Sequence, residues 1–351
     1  MLALTEPTGG GSIYDLGDLL NVATDDLDLV VIALLGMLRP RGPYPVLEFG
    51  GEQGSAKTTS SGIVCSLFDP RTPLLVGDPK DPRDLLIRAE HSWVVGVDNL
   101  SSMTKSLADA MCRVTTGTGA SVRRNYSDTD EVLFTACRPI VMNGIPELSV
   151  RPDLADRTLR VDCQFIPDGR RRTDEEVHSQ FTALHPSLLG ALFQATSTAI
   201  ANKKEMARRV QRLPRLADVA IQAESAAQAL GWEAGKAVGL MLETRSRYRA
   251  RTLMNDPLAT TLIAHAKRCW STAWLSFVGT ATELLEELKQ HSAQPKDLPK
   301  TANQLSGRLK EIEPVLREAG VHISKSRVGH SSSRQLTIWF KDPADDADDA
   351  G

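Results

Sequence analysis

The run from Gly51 to Thr58, Gly-Glu-Gln-Gly-Ser-Ala-Lys-Thr, combines residue types that suit binding of phosphate groups. It follows the short apolar stretch Val46–Phe49 and precedes a helical pattern, which is the context that a phosphate-binding loop requires. Glycines let backbone N–H groups turn toward phosphate oxygens, and a helix N-terminus adds partial positive charge. The predicted nucleotide-contacting residues are Gly51, Gln53, Gly54, Ser55, Ala56, Lys57 and Thr58. A chance glycine-rich turn is the simpler alternative.

The roles within this loop follow from side-chain chemistry. The Lys57 ammonium would hold the β- and γ-phosphates of ATP, and the Thr58 hydroxyl would bind Mg²⁺. The position before the lysine, which is commonly glycine, is Ala56.

A second apolar stretch, Trp93–Val97, is followed by Asp98 and Asn99. Asp98 comes 41 residues after Lys57. A buried strand that delivers a carboxylate beside a phosphate loop predicts a second Mg²⁺ ligand, Asp98, acting through water. Asn99 stands where an acid would take the proton from an attacking water; an amide can orient that water but cannot accept its proton. Slow hydrolysis or a contribution from another acid follows, and Glu48 and Glu52 are the nearest acids in sequence. A strand-end cap is the alternative role for Asp98.

A third apolar stretch, Pro139–Met142, ends in Asn143, which is placed to contact the γ-phosphate or its water. Arg157 follows fourteen residues later and opens another strand pattern. An arginine at a sheet edge could reach the γ-phosphate of a neighbouring subunit and stabilise the transition state. The alternative is an ion pair with Asp153 or Asp156 of its own chain.

Elements that position these residues alternate between short apolar strands and helical patterns from Val46 to Phe165. This alternation predicts an α/β fold with a parallel sheet covered on both faces. Helical patterns cover 13–38, 58–68, 83–90 and 101–114. Alternating residues on both sides of a polar turn at Ser127–Glu131 predict a β-hairpin over about 120–137. Arg123 and Arg124, on opposite faces of its first strand, are candidate DNA contacts.

The rest of the chain predicts a domain order. We expect an N-terminal leader and helix over 1–45, an ATPase core over 46–168, a helical region over 169–255, a winged-helix-like domain over 256–341, and an acidic tail over 342–351. The last domain is predicted to contain three helices, at 256–270, 280–290 and 301–319, followed by a hairpin. Val321–Lys341 contains no acidic residue, and Lys325, Arg327 and Arg334 are candidate contacts for the DNA backbone. A solvated hairpin that merely closes the domain is the alternative.

Bulk composition excludes several classes of protein. The five cysteines form no C-x-x-C pair, which argues against a disulfide framework or a zinc site. The longest apolar run, Leu29–Leu38, is about half of what a membrane-spanning helix needs. With no signal-peptide pattern, we expect a cytoplasmic protein without a membrane partner. The net charge of −3 neither demands nor excludes nucleic acid.

Taken in order, GEQGSAKT, WVVGVDN, TGTGASVRRNY, IVMNG and DLADR resemble the helicase module of phage, plasmid and poxvirus-type primase-helicases. That family belongs to the AAA+ ATPases and is related to superfamily 3 and to minichromosome-maintenance helicases, whose G-x-x-G-x-A-K-[ST] loop matches this one. The likeness covers about 46–165 strongly and the remainder loosely. It implies a hexameric ring that uses ATP and Mg²⁺ to move on single-stranded or forked DNA, with the hairpin in the ring's channel and a separate primase or initiator.

Two functions are compatible with these residues. The first is an ATP-dependent DNA helicase or translocase that replicates a phage, plasmid or integrated element. The second is an AAA+ switch, such as a helicase loader, a replication initiator or a defence ATPase, which does not unwind DNA. Asn99 and the acidic hairpin turn favour the second, whereas the hairpin position, Arg157 and the basic C-terminal hairpin favour the first.

Overall fold

The computed structural model describes residues 2–123, 131–144, 152–273, 276–292, 294–328 and 333–341. The chain divides into two compact units, Met1–Ser246 and Arg247–Gly351. Each unit has its own hydrophobic core.

The first unit is built on a parallel sheet. Its strands are β1 (Val46–Gly50), β2 (Val95–Leu100), β5 (Ile140–Gly144) and β6 (Thr158–Asp162). They lie in the order β2-β5-β1-β6 and all neighbouring pairs are parallel. Val76 extends the β2 edge through one parallel bridge to Val97. The predicted α/β fold with a parallel sheet is confirmed.

Helices cover both faces of this sheet. Strand residues that include Leu47, Phe49 and Val161 share a core with α1 (Thr24–Met37), α2 (Lys57–Phe68), α6 (Asp174–Arg209) and α7 (Ala217–Ser225). The alternate strand residues, such as Val46 and Val97, pack with α3 (Pro82–His91) and α4 (Lys105–Thr116). Burial on both faces explains why most residues of these strands are apolar. The remaining helices of this part of the chain are α5 (Pro152–Ala155), α8 (Ala227–Leu230) and α9 (Lys236–Asn255).

The N-terminal helical pattern is interrupted, contrary to the expectation of continuous helical character over 13–38. A 3-10 helix spans Ile13–Asp18, and α1 begins only at Thr24. Between them, Val22 forms an antiparallel bridge with Cys163 at the end of β6. This long-range pairing takes the intervening backbone out of the helical conformation.

The predicted hairpin before β5 is present. Strand β3 (Ala120–Arg123) pairs antiparallel with β4 (Glu131–Phe134), and Arg123 is in register with Glu131. Arg124 and the polar turn lie outside the described residues.

The second unit contains α10 (Pro257–Ala273), α11 (Ala281–His291), α12 (Ala302–Glu318), and the hairpin of β8 (Val321–Val328) with β9 (Ser333–Phe340). These match the three helices and hairpin predicted from the sequence. A short strand that the sequence did not predict, β7 (Phe277–Gly279), pairs with β9 and gives the order β7-β9-β8. The name winged helix stays a prediction for this arrangement. Residues of the acidic tail lie outside the described ranges.

Candidate nucleotide-binding site

The loop from Gly51 to Ala56 joins the carboxyl end of β1 to α2. Gly51, Gly54 and Ala56 have φ angles of +131°, +78° and +63°, so the backbone turns through conformations that side chains disfavour. Helix α2 starts at Lys57 without a side-chain cap. Its first N–H groups therefore need another acceptor, and an anion at the loop would supply one.

Lys57 is folded over the mouth of this loop. Its Nζ donates hydrogen bonds to the carbonyl oxygens of Gly51, at 2.9 Å, and Glu52, at 2.5 Å. The side chain is buried, and a buried ammonium requires acceptors. Phosphate oxygens bind an ammonium more strongly than neutral carbonyls do. The Lys57 ammonium can therefore exchange these two carbonyl acceptors for the oxygens of a bound polyphosphate.

Thr58 and Asp98 meet beside the loop. The Thr58 hydroxyl donates to Asp98 Oδ1 at 2.8 Å, although 40 residues separate them. Mg²⁺ in nucleotide sites is usually held by one or two protein oxygens together with the phosphates, not by an all-protein cage. Within the described part of the chain, no group of three His, Cys, Asp or Glu residues could hold a metal. The Thr58–Asp98 pair fits the nucleotide-dependent kind of Mg²⁺ site.

Asn143 links the ends of β2 and β5 to helix α2. Its Oδ1 accepts from the Asn99 backbone N–H at 3.0 Å, and its Nδ2 donates to Ser61 Oγ at 3.0 Å. Asn143 and Ser61 are buried, so the hydrogen bond between their side chains is made away from water. Asn99 has a φ angle of +53°, which asparagine tolerates better than most residues, and it is exposed. The structure therefore orders the Asn143 amide and presents the Asn99 amide to solvent.

The two acids considered from sequence differ sharply in position. Glu48 is buried within the sheet, where its carboxylate contacts Arg160 Nη1 at 2.5 Å. That pairing makes Glu48 unsuitable as a base for water. Glu52 is exposed on the loop itself. Asp78, which sequence reasoning missed, follows the Val76 bridge and accepts from the Ser101 N–H and hydroxyl at 3.3 and 2.6 Å.

Arg157 lies at the opposite end of the sheet from the loop. The Val46 N–H donates to the Arg157 carbonyl at 2.9 Å, and Val46 is the first residue of β1, whereas the loop follows its last. The Arg157 guanidinium donates to the Asp153 carbonyl at 2.7 Å. Asp156 is held by Arg245 at 2.8 Å. Arg157 therefore does not join the site of its own chain, and its action on a neighbouring subunit stays a prediction.

Asn21 is a loop contact that sequence reasoning did not single out. Its Nδ2 donates to the carbonyls of Ser55, at 3.1 Å, and Gln164, at 2.5 Å. The Gln164 N–H donates back to the Asn21 carbonyl. The N-terminal segment thereby fastens the phosphate loop to the chain that leaves β6. Nothing in the local sequence around Asn21 indicates this role.

Cys163 lies in the same region. Burial raises the pKa of its thiol to about 11, although Lys57 opposes the shift. At neutral pH the thiol is protonated, so it acts as packing and not as a nucleophile.

The candidate DNA contacts are spread over two hairpins. Arg123 is in β3, while Arg327 and Arg334 are directly opposite each other in the β8–β9 register. Lys325 is exposed, and its Nζ forms an ion pair with Glu313 at 3.2 Å. Their role in DNA binding stays a prediction.

The sequence also matches known families. Residues 13–241, about two thirds of the chain, match the family described as actinomycete integrative conjugative element replication protein. The chain belongs to this family. Residues 258–346 match its C-terminal domain, described as the AICE RepA C-terminal domain. Family membership confirms the expected link to replication of a mobile element, and it is more specific than the phage, plasmid and poxvirus-type resemblance.

Other comparisons add remote similarities. None of the curated proteins matches the chain. Among solved structures, the apo NrS-1 C-terminal region (305–718) is similar, with 12% identity and a TM-score of 0.45, covering 97% of this chain and 79% of that one. A full-length MCM homolog from Methanopyrus kandleri shows 13% identity and a TM-score of 0.36, covering 67% and 57%. The residues of the site, not these remote similarities, support the function proposed below.

Proposed function

We propose that this replication protein is an Mg²⁺-dependent ATPase that drives movement along, or unwinding of, DNA. The single observation that supports it most is the contact of Thr58 with Asp98, beside a loop whose Lys57 ammonium is held by two carbonyls. A phosphate loop and a strand-end carboxylate, far apart in sequence, meet at one edge of the sheet. Nucleoside triphosphate hydrolysis is the chemistry that uses this pair.

Each residue then has a defined task. The loop N–H groups and Lys57 bind the β- and γ-phosphates. Thr58 and Asp98 would hold Mg²⁺, which neutralises phosphate charge when bound. Asn143, ordered by Asn99 and Ser61, orients the attacking water, and Asn99 assists from its exposed position. A proton acceptor is still needed, and Glu52 and Asp78 are two exposed carboxylates that could serve.

We further propose that the protein assembles into a ring, expected to be hexameric, around single-stranded or forked DNA. Arg157 would complete the neighbouring site, and a separate primase or initiator would start synthesis. Within the described residues, no helix has the length and apolar character that crossing a membrane requires. We expect the protein to act in the cytoplasm, with the DNA of the element.

The second candidate function is an AAA+ switch that loads or recruits another replication protein without unwinding DNA. The observation that favours it is Asn99, an amide at the position where a proton-accepting acid is expected. Slow turnover suits a switch better than a motor. Both candidates share the same nucleotide site.

Lys57→Ala should abolish ATP hydrolysis, because it removes the ammonium that binds the β- and γ-phosphates while the fold survives. Asp98→Ala should also abolish hydrolysis, because Mg²⁺ is no longer positioned. Steady-state phosphate release is the measurement, and Lys105→Ala, an exposed lysine at the start of α4, is the matched control. Turnover at the wild-type rate in either site variant would remove the assignment.

Strand displacement on a forked duplex separates the two candidate functions. The motor predicts ATP-dependent displacement and ATPase activity stimulated by single-stranded DNA. ATP hydrolysis without displacement, and without stimulation by DNA, would select the switch. The Lys57→Ala protein controls for strand melting by binding alone.

A further inference from the structure

The chain that leaves β6 runs along the phosphate loop for several residues. A Cβ on Gly51 would lie 2.6 Å from the Cys163 carbonyl oxygen, so glycine permits this close approach. Gln164 shares the Asn21 amide with Ser55 of the loop. Farther on, the Arg171 guanidinium lies beside Gly54. Cys163, Gln164 and Arg171 thus all lie near the loop.

Arg171 places the end of its guanidinium beside Gly54 of the loop. Its Nη2, Nη1 and Cζ atoms lie 3.5, 3.8 and 3.9 Å from the position that a Cβ on Gly54 would occupy. Gly54 has a φ angle of +78°, which favours glycine independently of this contact. A positive charge therefore lies beside the backbone that is expected to receive the phosphates.

The backbone that carries Arg171 is anchored on its C-terminal side. Arg172 donates to the Asp18 carbonyl at 2.8 Å and also contacts Gln180. Thr173 caps α6 in a reciprocal pair of hydrogen bonds with Glu176. These contacts hold the Arg171 backbone in place, which limits the positions that its guanidinium can occupy.

The Arg171 head group itself is held weakly. Its Nε contacts Asp168 Oδ1 at 3.2 Å, and the two side chains are 55% and 96% exposed. An exposed ion pair of this kind contributes little to stability. A guanidinium can exchange such a partner for a phosphate, which it binds through two parallel hydrogen bonds.

We propose that Arg171 is a phosphate-binding and catalytic residue that acts on the ATP bound by its own chain. This proposal rests on the proposed ATPase function and adds to it a cationic contact supplied in cis. Arg171 leaves Asp168 and binds the polyphosphate at Gly54, where it stabilises negative charge on the transferring phosphoryl group. Arg157, at the other end of the sheet, cannot make this contact in the same chain.

The test compares Arg171→Ala with Arg170→Ala, its exposed neighbour, in the full chain. Loss of one donor to a developing charge typically lowers kcat by about 10²- to 10³-fold. We expect a decrease in kcat of that order for Arg171→Ala. Relative to the wild type, the affinity for ATP should fall more than the affinity for ADP. Arg170→Ala should behave as the wild type, and Arg171→Lys should recover part of the rate.

Mixing variants distinguishes action in cis from action in trans. A mixture of Arg171→Ala and Lys57→Ala should show no activity beyond the sum of the separate proteins. If both residues act on the ATP of their own chain, every site in the mixture lacks one of them. Recovery of activity in the mixture would overturn the cis assignment.

The remaining outcomes are also decisive. If Arg171→Ala and Arg170→Ala both match the wild type while Lys57→Ala is inactive, the Arg171 proposal is wrong and the ATPase proposal stands. If Lys57→Ala is also fully active, the proposed ATPase function is wrong, and the Arg171 proposal that rests on it is wrong as well. Should wild-type turnover be too slow to follow, binding of a fluorescent ATP analogue provides the same comparison, and absence of nucleotide binding by the wild type overturns both proposals.

Discussion

At the scale of single residues, the site depends on a few side chains that hold one another in place. Asn143 is an example, because its amide oxygen and nitrogen are both engaged, with Asn99 and Ser61. An ordered amide can direct a water molecule, whereas a rotating amide cannot. Ser61 therefore matters through its effect on Asn143.

Ser61→Ala should lower kcat while leaving KM for ATP nearly unchanged. The substitution removes the acceptor of the Asn143 Nδ2 hydrogen bond and leaves a buried donor unsatisfied, which costs about 1–3 kcal/mol of stability. Steady-state kinetics and thermal unfolding are the measurements. Ser66→Ala, on the same helix, is the control.

A purely structural role for Ser61 makes a different prediction. In that case the melting temperature would fall but kcat per folded molecule would equal that of Ser66→Ala. That result would contradict positioning through Asn143.

At the scale of elements, parallel strands bring distant residues to one edge. The carboxyl ends of β1, β2 and β5 supply the loop, Asp98 and Asn143, because parallel strands present the same end on the same side. In the second unit, the antiparallel β8–β9 register has a different effect. It sets Arg327 opposite Arg334.

Reversing the charge of Lys325, Arg327 and Arg334 together should weaken DNA binding. Removal of each phosphate-binding side chain should reduce the slope of log affinity against log salt by about 0.7 to 0.9, depending on whether the DNA is single- or double-stranded. Fluorescence anisotropy across a salt series measures both quantities. ATPase activity without DNA should stay intact.

The matched control reverses three lysines elsewhere in the second unit, Lys289, Lys296 and Lys300, which gives the same change of net charge. If both triple variants lose affinity equally, the effect is one of overall charge and not of the hairpin. An unchanged slope in the hairpin variant would direct attention to Arg123 and Arg124.

At the scale of the whole molecule, the groups predicted for catalysis do not all meet at one site of a single chain. Arg157 is at the amino-terminal end of β6, an edge strand, and the phosphate loop is at the carboxyl end of β1. With strands of five residues, these ends are about 15 Å apart at 3.3 Å per residue. A second subunit is therefore required if Arg157 is to reach a γ-phosphate.

Arg157→Ala should bind ATP normally and hydrolyse it poorly. Mixing it with Lys57→Ala should restore part of the activity, because some interfaces then combine an intact loop with an intact arginine. This expectation is the reverse of the one for Arg171, so the two arginines are tested by a single design. Arg208→Ala, an exposed arginine on α6, is the control partner.

Absence of rescue, together with a protein that stays monomeric when ATP is present, would assign Arg157 to its own chain. Analytical ultracentrifugation with ATP provides the second observation. The hydrogen bond to the Asp153 carbonyl would then be its role.

Local patterns in the amino-acid sequence were sufficient to predict several parts of this protein. Apolar strands alternating with helices predict a parallel sheet, which the structure contains, and a glycine-containing run between strand and helix predicts a phosphate-binding loop. The motifs predicted a phage, plasmid and poxvirus-type resemblance, and the match over residues 13–241 shows the more specific replication-protein family. Short-range patterns are enough for these predictions, because hydrophobic periodicity and turn residues reflect the local conformation of each strand, helix or loop.

Which distant residues meet, in contrast, became known only from the three-dimensional fold. Asn21 contacts Ser55, the Arg171 guanidinium lies beside Gly54, and Glu48 is buried against Arg160. These contacts depend on the order of the strands and on the path of the chain after β6. The spacing of the residues along the sequence does not determine that order or that path. The same sheet order separates Arg157 from the phosphate loop of its own chain, because parallel strands place their opposite ends on opposite sides of the molecule.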